Sequence, residues 1–202
     1  MAKPWVPHVI QQGEHVRKLA YQYGVSAETV WAHDKNQELS RLRKNMDLLS
    51  PGDILHLPSE PLPPLSLDVG TKNQFRAKVP KIHVKLHLDV PGRTLTGQPF
   101  EVHGVSEGGA PISGTVGEGG DVAFDVRVLV REVEIRLPEA GIFMPVMIGD
   151  LDPIDEPSGV TQRLRNLGYL PPSGEMEPSA QASALRAFQR DEGLPETGAL
   201  DD

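Results

Sequence analysis

Two proline-rich segments divide this chain of 202 residues and limit the size of any hydrophobic core that it can form. The first reads PSEPLPPLSLD over residues 58–68, and the second reads GDLDPIDEPSG over residues 149–159. Proline fixes the backbone φ angle and removes an amide donor, so helices and strands are interrupted at such segments. The sequence therefore predicts small separate modules, each of which should be only modestly stable by itself.

We place the modules at residues 7–58, 67–149 and 150–202, with a stiff proline-rich linker over 59–66. The net charge is −8 and the pI is about 5.4, so we expect neither nucleic acid nor an anionic membrane as a partner. The sequence has no apolar run of about 18 residues, and its first ten residues, MAKPWVPHVI, lack the apolar core of an export signal. We therefore expect synthesis in the cytoplasm. Cysteine is absent, which excludes disulfides.

Residues 7–58 have the hydrophobic spacing of a strand, two helices and a closing strand. The segments HVIQ and ILHLP predict the two strands, and Pro58 ends the second one. Gly24 fits a left-handed helix C-cap, and Ser26 fits the N-cap of the second helix. The inward face of the first helix is predicted to carry Val16, Leu19, Ala20 and Tyr23.

The segment HVIQQGEHVRKLAYQYGVSAETVW, together with the closing LLSPGDILHLP, resembles a LysM domain over the whole of this module. The resemblance implies a βααβ fold with a shallow groove for N-acetylated glycans between the loop after the first strand and the loop before the second. The residues implicated on the two sides of that groove are Gly13, Glu14, His15, Val16, Leu49, Ser50 and Pro51.

This LysM-like sequence departs from its family in two places, which leaves a protein-docking role open. Residues 13–16 stand where the family has Gly-Asp-Thr-Leu, and the charged insert over residues 33–47 is longer than usual. Trp31 on the second helix fits a core or protein-docking position better than a sugar platform. The apolar residues of the insert predict an added helical turn: Leu39, Leu42, Met46 and Leu49.

The middle module alternates apolar and polar residues, which predicts a small antiparallel β-sandwich. It is loosely similar to immunoglobulin-like sandwiches. In the segment KIHVKLHLDV, the outward residues His83, Lys85 and His87 are candidates for docking a protein. A shared zinc ion is not expected, because two strand positions four residues apart are separated by about 13 Å.

The last module predicts two helices. Val160, Leu164 and Leu167 form one apolar stripe, and a second helix is expected after an N-cap at Ser179, with its inward face formed by Ala184, Leu185 and Phe188. The segments QRL, LGY, ALRAFQ, GL and TGALD resemble a three-helix peptidoglycan-binding module. The resemblance implies wall-peptide contacts at Tyr169, Gly174 and Gln189. A third helix would follow Asp201, so we expect the module to be incomplete or trimmed.

The sequence shows no arrangement of residues that indicates catalysis. Asp152, Asp155 and Glu156 lie in the second proline-broken segment, which favours solvated carboxylates. The glycine-rich VGEGGD joins two predicted strands, which favours a hairpin over a phosphate-binding loop. We therefore expect no enzyme activity, no cofactor and no metal site.

The arrangement as a whole resembles accessory proteins encoded beside type VI secretion and related contractile injection systems. Trp31, His33, Asn36 and Leu39 match the W-x-H-x-x-N-x-x-L pattern of that group, and residues 152–169 match its junction. The resemblance implies a non-catalytic bacterial adaptor that binds peptidoglycan, as N-acetylated glycan or wall peptide, and a secretion spike, tip protein or toxin. It would act in the cytoplasm at the apparatus, or in the periplasm or cell wall after delivery.

Two alternatives stay open. The chain could be a phage or injection-system baseplate or tip component whose end modules bind proteins only. It could instead be the targeting region of a cell-wall hydrolase whose catalytic domain lies beyond Asp202.

Overall fold

The computed structural model describes residues 4–62, 65–74, 78–106, 108–174 and 177–200. Residues 63 and 64 of the expected linker, and Asp201 and Asp202 where a third helix was expected, lie outside the described residues. Within the described residues the chain is an α+β protein with helical segments at both ends and antiparallel sheets. Its buried apolar side chains form three distinct clusters, in order along the chain.

The N-terminal module begins and ends with strands that pair with each other. Strand β1 (Trp5–Val9) lies antiparallel to β2 (Ile54–Pro58), with Trp5 opposite Pro58 and Val9 opposite Ile54. β1 starts upstream of the predicted HVIQ segment, because a strand in a two-stranded sheet has a free edge and therefore tolerates Pro7. The helices between the strands are α1 (Val16–Tyr23), α2 (Ala27–Trp31) and α3 (Gln37–Arg43), with a 3-10 turn at Asp34–Asn36.

The predicted ends of α1 and α2 are confirmed. Gly24 has φ 67° and its amide donates to the last carbonyls of α1. The Ser26 hydroxyl accepts from the Thr29 amide at 3.0 Å, which is the N-cap bond of α2. Helix α3 confirms the helical turn expected in the insert. Leu39 is buried beneath it, but Leu42 is exposed.

The central module has two antiparallel sheets that contribute to one core. β3 (Lys81–His87) pairs with β6 (Asp121–Arg127) in the first sheet. The order in the second sheet is β5 (Ile112–Thr115), β4 (Pro99–His103), β7 (Glu132–Leu137) and β8 (Ile142–Met147). The alternation predicted for β3 is confirmed: its apolar side chains pack against the core and its polar ones are exposed.

The C-terminal module consists of α4 (Pro157–Asn166) and α5 (Pro178–Asp191). Two details of the prediction are wrong. Leu167 is 55% exposed, because α4 ends at Asn166 and the chain turns away from the stripe. Helix α5 starts at Pro178 with Glu177 as its N-cap, since the fixed φ of proline suits the first helical position better than the N-cap. The small core contains Val160, Leu164, Leu170, Ala184 and Leu185.

No helix in the described part of the chain combines the length and the apolar composition needed to cross a membrane.

Candidate functional site

The acidic segment after β8 is an interface and not the solvated linker that the sequence predicted. The side chain of Asp152 is buried, and its Oδ1 lies 3.3 Å from Gln12 Nε2 in the N-terminal module. Its backbone is held by α4: Gln162 Oε1 accepts from the Asp152 amide, and Arg163 Nη1 donates to the Asp152 carbonyl. The contact with Gln12 spans 140 residues and those with Gln162 and Arg163 span ten and eleven, so local composition could not reveal them.

Arg43 at the end of α3 joins the N-terminal module to the same segment. Its side chain is only 5% exposed and makes a two-bond contact with Asp53, with both N–O distances at 2.8 Å. The guanidinium also contacts Asp155 at 3.1 Å and Glu156 at 2.7 Å. The Asp53 hydrogen bonds, with those of Glu156, raise the pKa of Arg43 despite its burial. A permanently charged group therefore connects two modules that the sequence keeps apart.

The loop after β1, one side of the predicted glycan groove, is covered by Arg131 of the central module and by Asp150, the first residue of the last module. Gln12 Nε2 donates to the Asp150 carbonyl at 2.6 Å. Gly13 is buried with φ 79°, and a Cβ atom at this position would lie 2.6 Å from Asp150 Oδ1 and 2.8 Å from Arg131 Nη2. Only glycine fits such a backbone conformation at so close an approach.

The structure brings the two sides of the predicted groove to one end of the β1–β2 sheet, where the Gly52 amide donates to the Ile10 carbonyl. The side chains of His15, Val16 and Leu49 are nevertheless buried. His15 Nδ1 lies 3.5 Å from Asp47, and Glu14 accepts from its own loop and contacts His8 at 2.8 Å. Among the predicted groove residues, Glu14, Ser50 and Pro51 are at least partly exposed.

The residues that match the secretion-associated pattern serve the fold of the N-terminal module. Asn36 is fully buried, and its amide donates to the carbonyls of Val30 and His56 while its Oδ1 accepts from the His56 amide. His33 stacks on Trp5 with ring centroids 3.8 Å apart. Trp31 is half-buried against the core.

The outward face of β3 carries two histidine–aspartate pairs across the strand partner β6. His83 contacts Asp125 at 2.8 Å and His87 contacts Asp121 at 3.0 Å. All four side chains are more than half exposed, and Lys85 lies between the two pairs. This face is polar and accessible, which suits it to docking rather than to chemistry that needs a dry cleft.

The three residues predicted to hold wall peptide differ in burial and in the contacts that they make. Gln189 is buried, where it donates to Thr197 and the Ala199 carbonyl and accepts from the Gly198 amide. It therefore holds the loop after α5. Tyr169 is half-buried and its hydroxyl donates to Asp191, and Gly174 is exposed, with its carbonyl bound by Arg165.

A cavity of about 250 Å³ that sequence reasoning missed opens in the C-terminal module, and the loop held by Gln189 forms part of its wall. It lies where the start of α4, the first turns of α5 and the loop 198–200 meet. Asp155 and Glu156, the two carboxylates held by Arg43, form part of its wall. No motif signalled it, because its wall combines three segments that are remote in sequence.

Comparison with known proteins identifies this end of the chain. A family model described as a putative peptidoglycan binding domain matches residues 158–202, which include most of α4, all of α5 and the loop beside the cavity. The predicted peptidoglycan-binding module is thereby confirmed, and peptidoglycan is supported as a partner. Searches of the curated proteins and of the solved structures gave no match.

Proposed function

We propose that the chain is a non-catalytic bacterial accessory protein that binds peptidoglycan through its C-terminal module. Its N-terminal and central modules are proposed to dock partner proteins. The observation that carries the proposal is the match of residues 158–202 to a peptidoglycan-binding domain. That match falls on a helical unit with a hydrophobic core of its own and an adjacent cavity.

The N-terminal module is proposed to be LysM-like in fold but to dock proteins. The pairing of its first and last strands around helices agrees with the fold that the LysM resemblance implies. The burial of Gly13, His15 and Val16, and the cover provided by Asp150, argue against an open sugar groove there. The exposed face of Lys85 and its neighbouring histidine pairs offers a second docking surface.

The absence of catalytic function is part of the proposal. General acid–base chemistry needs a base within hydrogen-bond reach of a bound substrate, in a site that excludes water. The histidine–carboxylate pairs of β3 and β6 instead lie on an open sheet face. The acids that line the cavity, Asp155 and Glu156, are already paired with Arg43.

We further propose an association with a contractile secretion apparatus, which depends on the sequence resemblance alone. Asn36 and Leu39, two residues of the W-x-H-x-x-N-x-x-L pattern, are core residues. The pattern is therefore better evidence for a fold shared with the secretion-associated proteins than for a shared partner. Delivery by such an apparatus would bring the protein to the cell wall.

Sedimentation with purified sacculi tests the proposal. We expect the full chain to pellet with sacculi in a saturable manner and to stay in solution without them. Dye-labelled sacculi incubated with the protein should release no soluble dye. Full recovery in the supernatant would reject wall binding, and dye release would reject the non-catalytic role.

A second candidate is a baseplate or tip component whose end modules bind proteins only. The covered loop after β1 favours it, because that loop already serves as a contact between modules. This candidate predicts no retention on sacculi, together with stable co-purification with a spike or tip protein.

A further inference from the structure

The cavity of the C-terminal module has the chemistry of a hydrogen-bond acceptor site. Asp155 Oδ2 and Glu156 Oε1 contact Arg43, whereas Asp155 Oδ1 and Glu156 Oε2 have no hydrogen-bond partner among the described residues. Gln181 donates through Nε2 to the Pro157 carbonyl at 3.0 Å and to Thr161 at 3.1 Å. These two bonds orient its carboxamide, whose oxygen has no partner in the described part of the chain.

The charge around this cavity is negative. The two charged residues that line it, Asp155 and Glu156, are both carboxylates, and each contacts the guanidinium of Arg43, which also pairs with the buried Asp53. Arg186 lies beside Gly198 and does not line the cavity. A ligand group that donates hydrogen bonds and carries positive charge is therefore favoured at the rim.

The rest of the wall is apolar and has no aromatic ring. Apart from Gln181 it consists of apolar residues, among them Val160, Ala182, Leu185 and Leu200, so a flat sugar ring would find no aromatic side chain to stack on. The volume of about 250 Å³ is just below the ~300–1,000 Å³ of pockets that enclose a drug-sized ligand. One amino-acid side chain with an aliphatic stem fits this space better than an oligosaccharide.

We propose that this cavity binds the stem peptide of peptidoglycan, with the primary ammonium of its diamino acid at Asp155 and Glu156 and its aliphatic stem on the apolar wall. The inference deepens the proposed function and depends on it, since peptidoglycan is the partner that the match of residues 158–202 supports. Among the components of peptidoglycan, the diamino acid of the stem peptide combines a cationic donor with an apolar stem.

Isothermal titration calorimetry of the full chain with a synthetic stem tetrapeptide that contains lysine tests the site. We expect saturable binding, and binding about tenfold weaker when the lysine amine is acetylated, because acetylation removes the charge. Ala182→Phe should abolish binding by filling the cavity, and Asp155→Asn should weaken it. Equal binding of the free and acetylated peptides, or unchanged binding by Ala182→Phe, would overturn the proposal.

Matched variants separate loss of the site from loss of the fold. Ser183→Phe places the same ring on an exposed position of α5 outside the cavity wall, and Glu192→Gln removes an exposed charge from the end of the same helix. Both should bind the peptide as the unchanged chain does, with the same thermal unfolding midpoint as Ala182→Phe.

Sedimentation with sacculi, carried out in parallel, distinguishes wall binding by the chain from stem-peptide binding in this cavity. If the unchanged chain and Ala182→Phe are both retained by sacculi, wall binding stands and this cavity is not the site. If the unchanged chain is not retained and does not bind the peptide, the proposed function fails and this inference fails with it. Peptide binding that Ala182→Phe alone removes supports the site.

Discussion

The guanidinium of Arg43 lies 2.7 Å from the carboxylate of Glu156, although 113 residues separate the two in sequence. This contact joins the N-terminal module to the segment that directly precedes the peptidoglycan-binding domain. Because Glu156 also lines the cavity of that domain, the orientation of the N-terminal module and the electrostatics of the proposed ligand site depend on the same ion-pair network.

Replacing Arg43 with Ala should destabilise the chain strongly. The change leaves Asp53 buried without its cationic partner, and breaking a buried ion pair on one side costs about 3–5 kcal/mol. Urea denaturation followed by circular dichroism measures the free energy of unfolding. Arg41→Ala on the exposed face of the same helix should change it by less than about 0.5 kcal/mol. Equal effects of the two changes would contradict a special role for Arg43.

Replacing Glu156 with Gln should loosen the contact between modules without unfolding either one. Arg43 keeps its two bonds to Asp53 in this variant, so the N-terminal module stays folded. We expect faster amide hydrogen exchange in residues 150–156 and a larger radius of gyration in small-angle scattering. Glu139→Gln, an exposed acid of the central module, serves as the control. Unchanged exchange would show that the remaining contacts are sufficient.

Replacing Asn36 with Ala should cost about 3 kcal/mol of stability, because it leaves buried backbone groups of Val30 and His56 without a partner. The free energy of unfolding from urea titration is the measurement. Asn45→Ala, at an exposed position of the same module, should have a much smaller effect. A loss below about 1 kcal/mol would mean that solvent reaches those backbone groups.

The carboxyl group of Asp47 should make stability depend on pH. Burial by itself would raise the pKa of Asp47, but the nearby His15 ring and the hydrogen bonds from Arg17 outweigh burial and lower it. A lowered pKa in the folded state means that the stabilisation is present above the unfolded value of about 3.9 and is lost as the pH falls through the folded value. The destabilisation caused by Asp47→Asn should therefore be clear at pH 6 and shrink below about pH 4.

Urea titrations of Asp47→Asn at both pH values check this dependence. Glu38→Gln, an exposed acid of α3, should show little effect at either pH. An Asp47→Asn effect that stays constant down to the lower pH would rule out the titration of Asp47 as the cause.

Replacing Gln189 with Ala should free the loop after α5. The variant loses two donated bonds, to Thr197 and the Ala199 carbonyl, and one accepted bond, from the Gly198 amide. We expect rapid hydrogen exchange at the Gly198 amide and weaker stem-peptide binding, because that loop lines the cavity. Arg190→Ala, whose side chain is exposed on the same helix, should leave that amide protected.

Local patterns predicted the elements whose causes are local. The C-cap at Gly24 and the N-cap at Ser26 depend on neighbours within a few residues. The same holds for the alternation along β3, which needs only the two-residue period of a strand. The N-cap expected at Ser179 was wrong because Pro178 also fits the helix start, and a single sequence does not rank two adjacent starts.

The candidate site could not be predicted in the same way. Gln189 is predicted to contact a ligand, and the structure adds that its amide holds a loop eight to ten residues away. The cavity that we assign to stem peptide was not predicted, since its wall joins the junction segment, two helices and the last described loop.

By itself the sequence determined the helix and strand periods and the resemblance of its last 45 residues to a peptidoglycan-binding domain. Only the tertiary structure decided that Gly13 is covered by Asp150 and that Arg43 gathers Asp155 and Glu156. The reason is physical. Periodicity and caps depend on residues one to four positions apart, whereas burial and charge pairing depend on which remote surfaces the folded chain brings together.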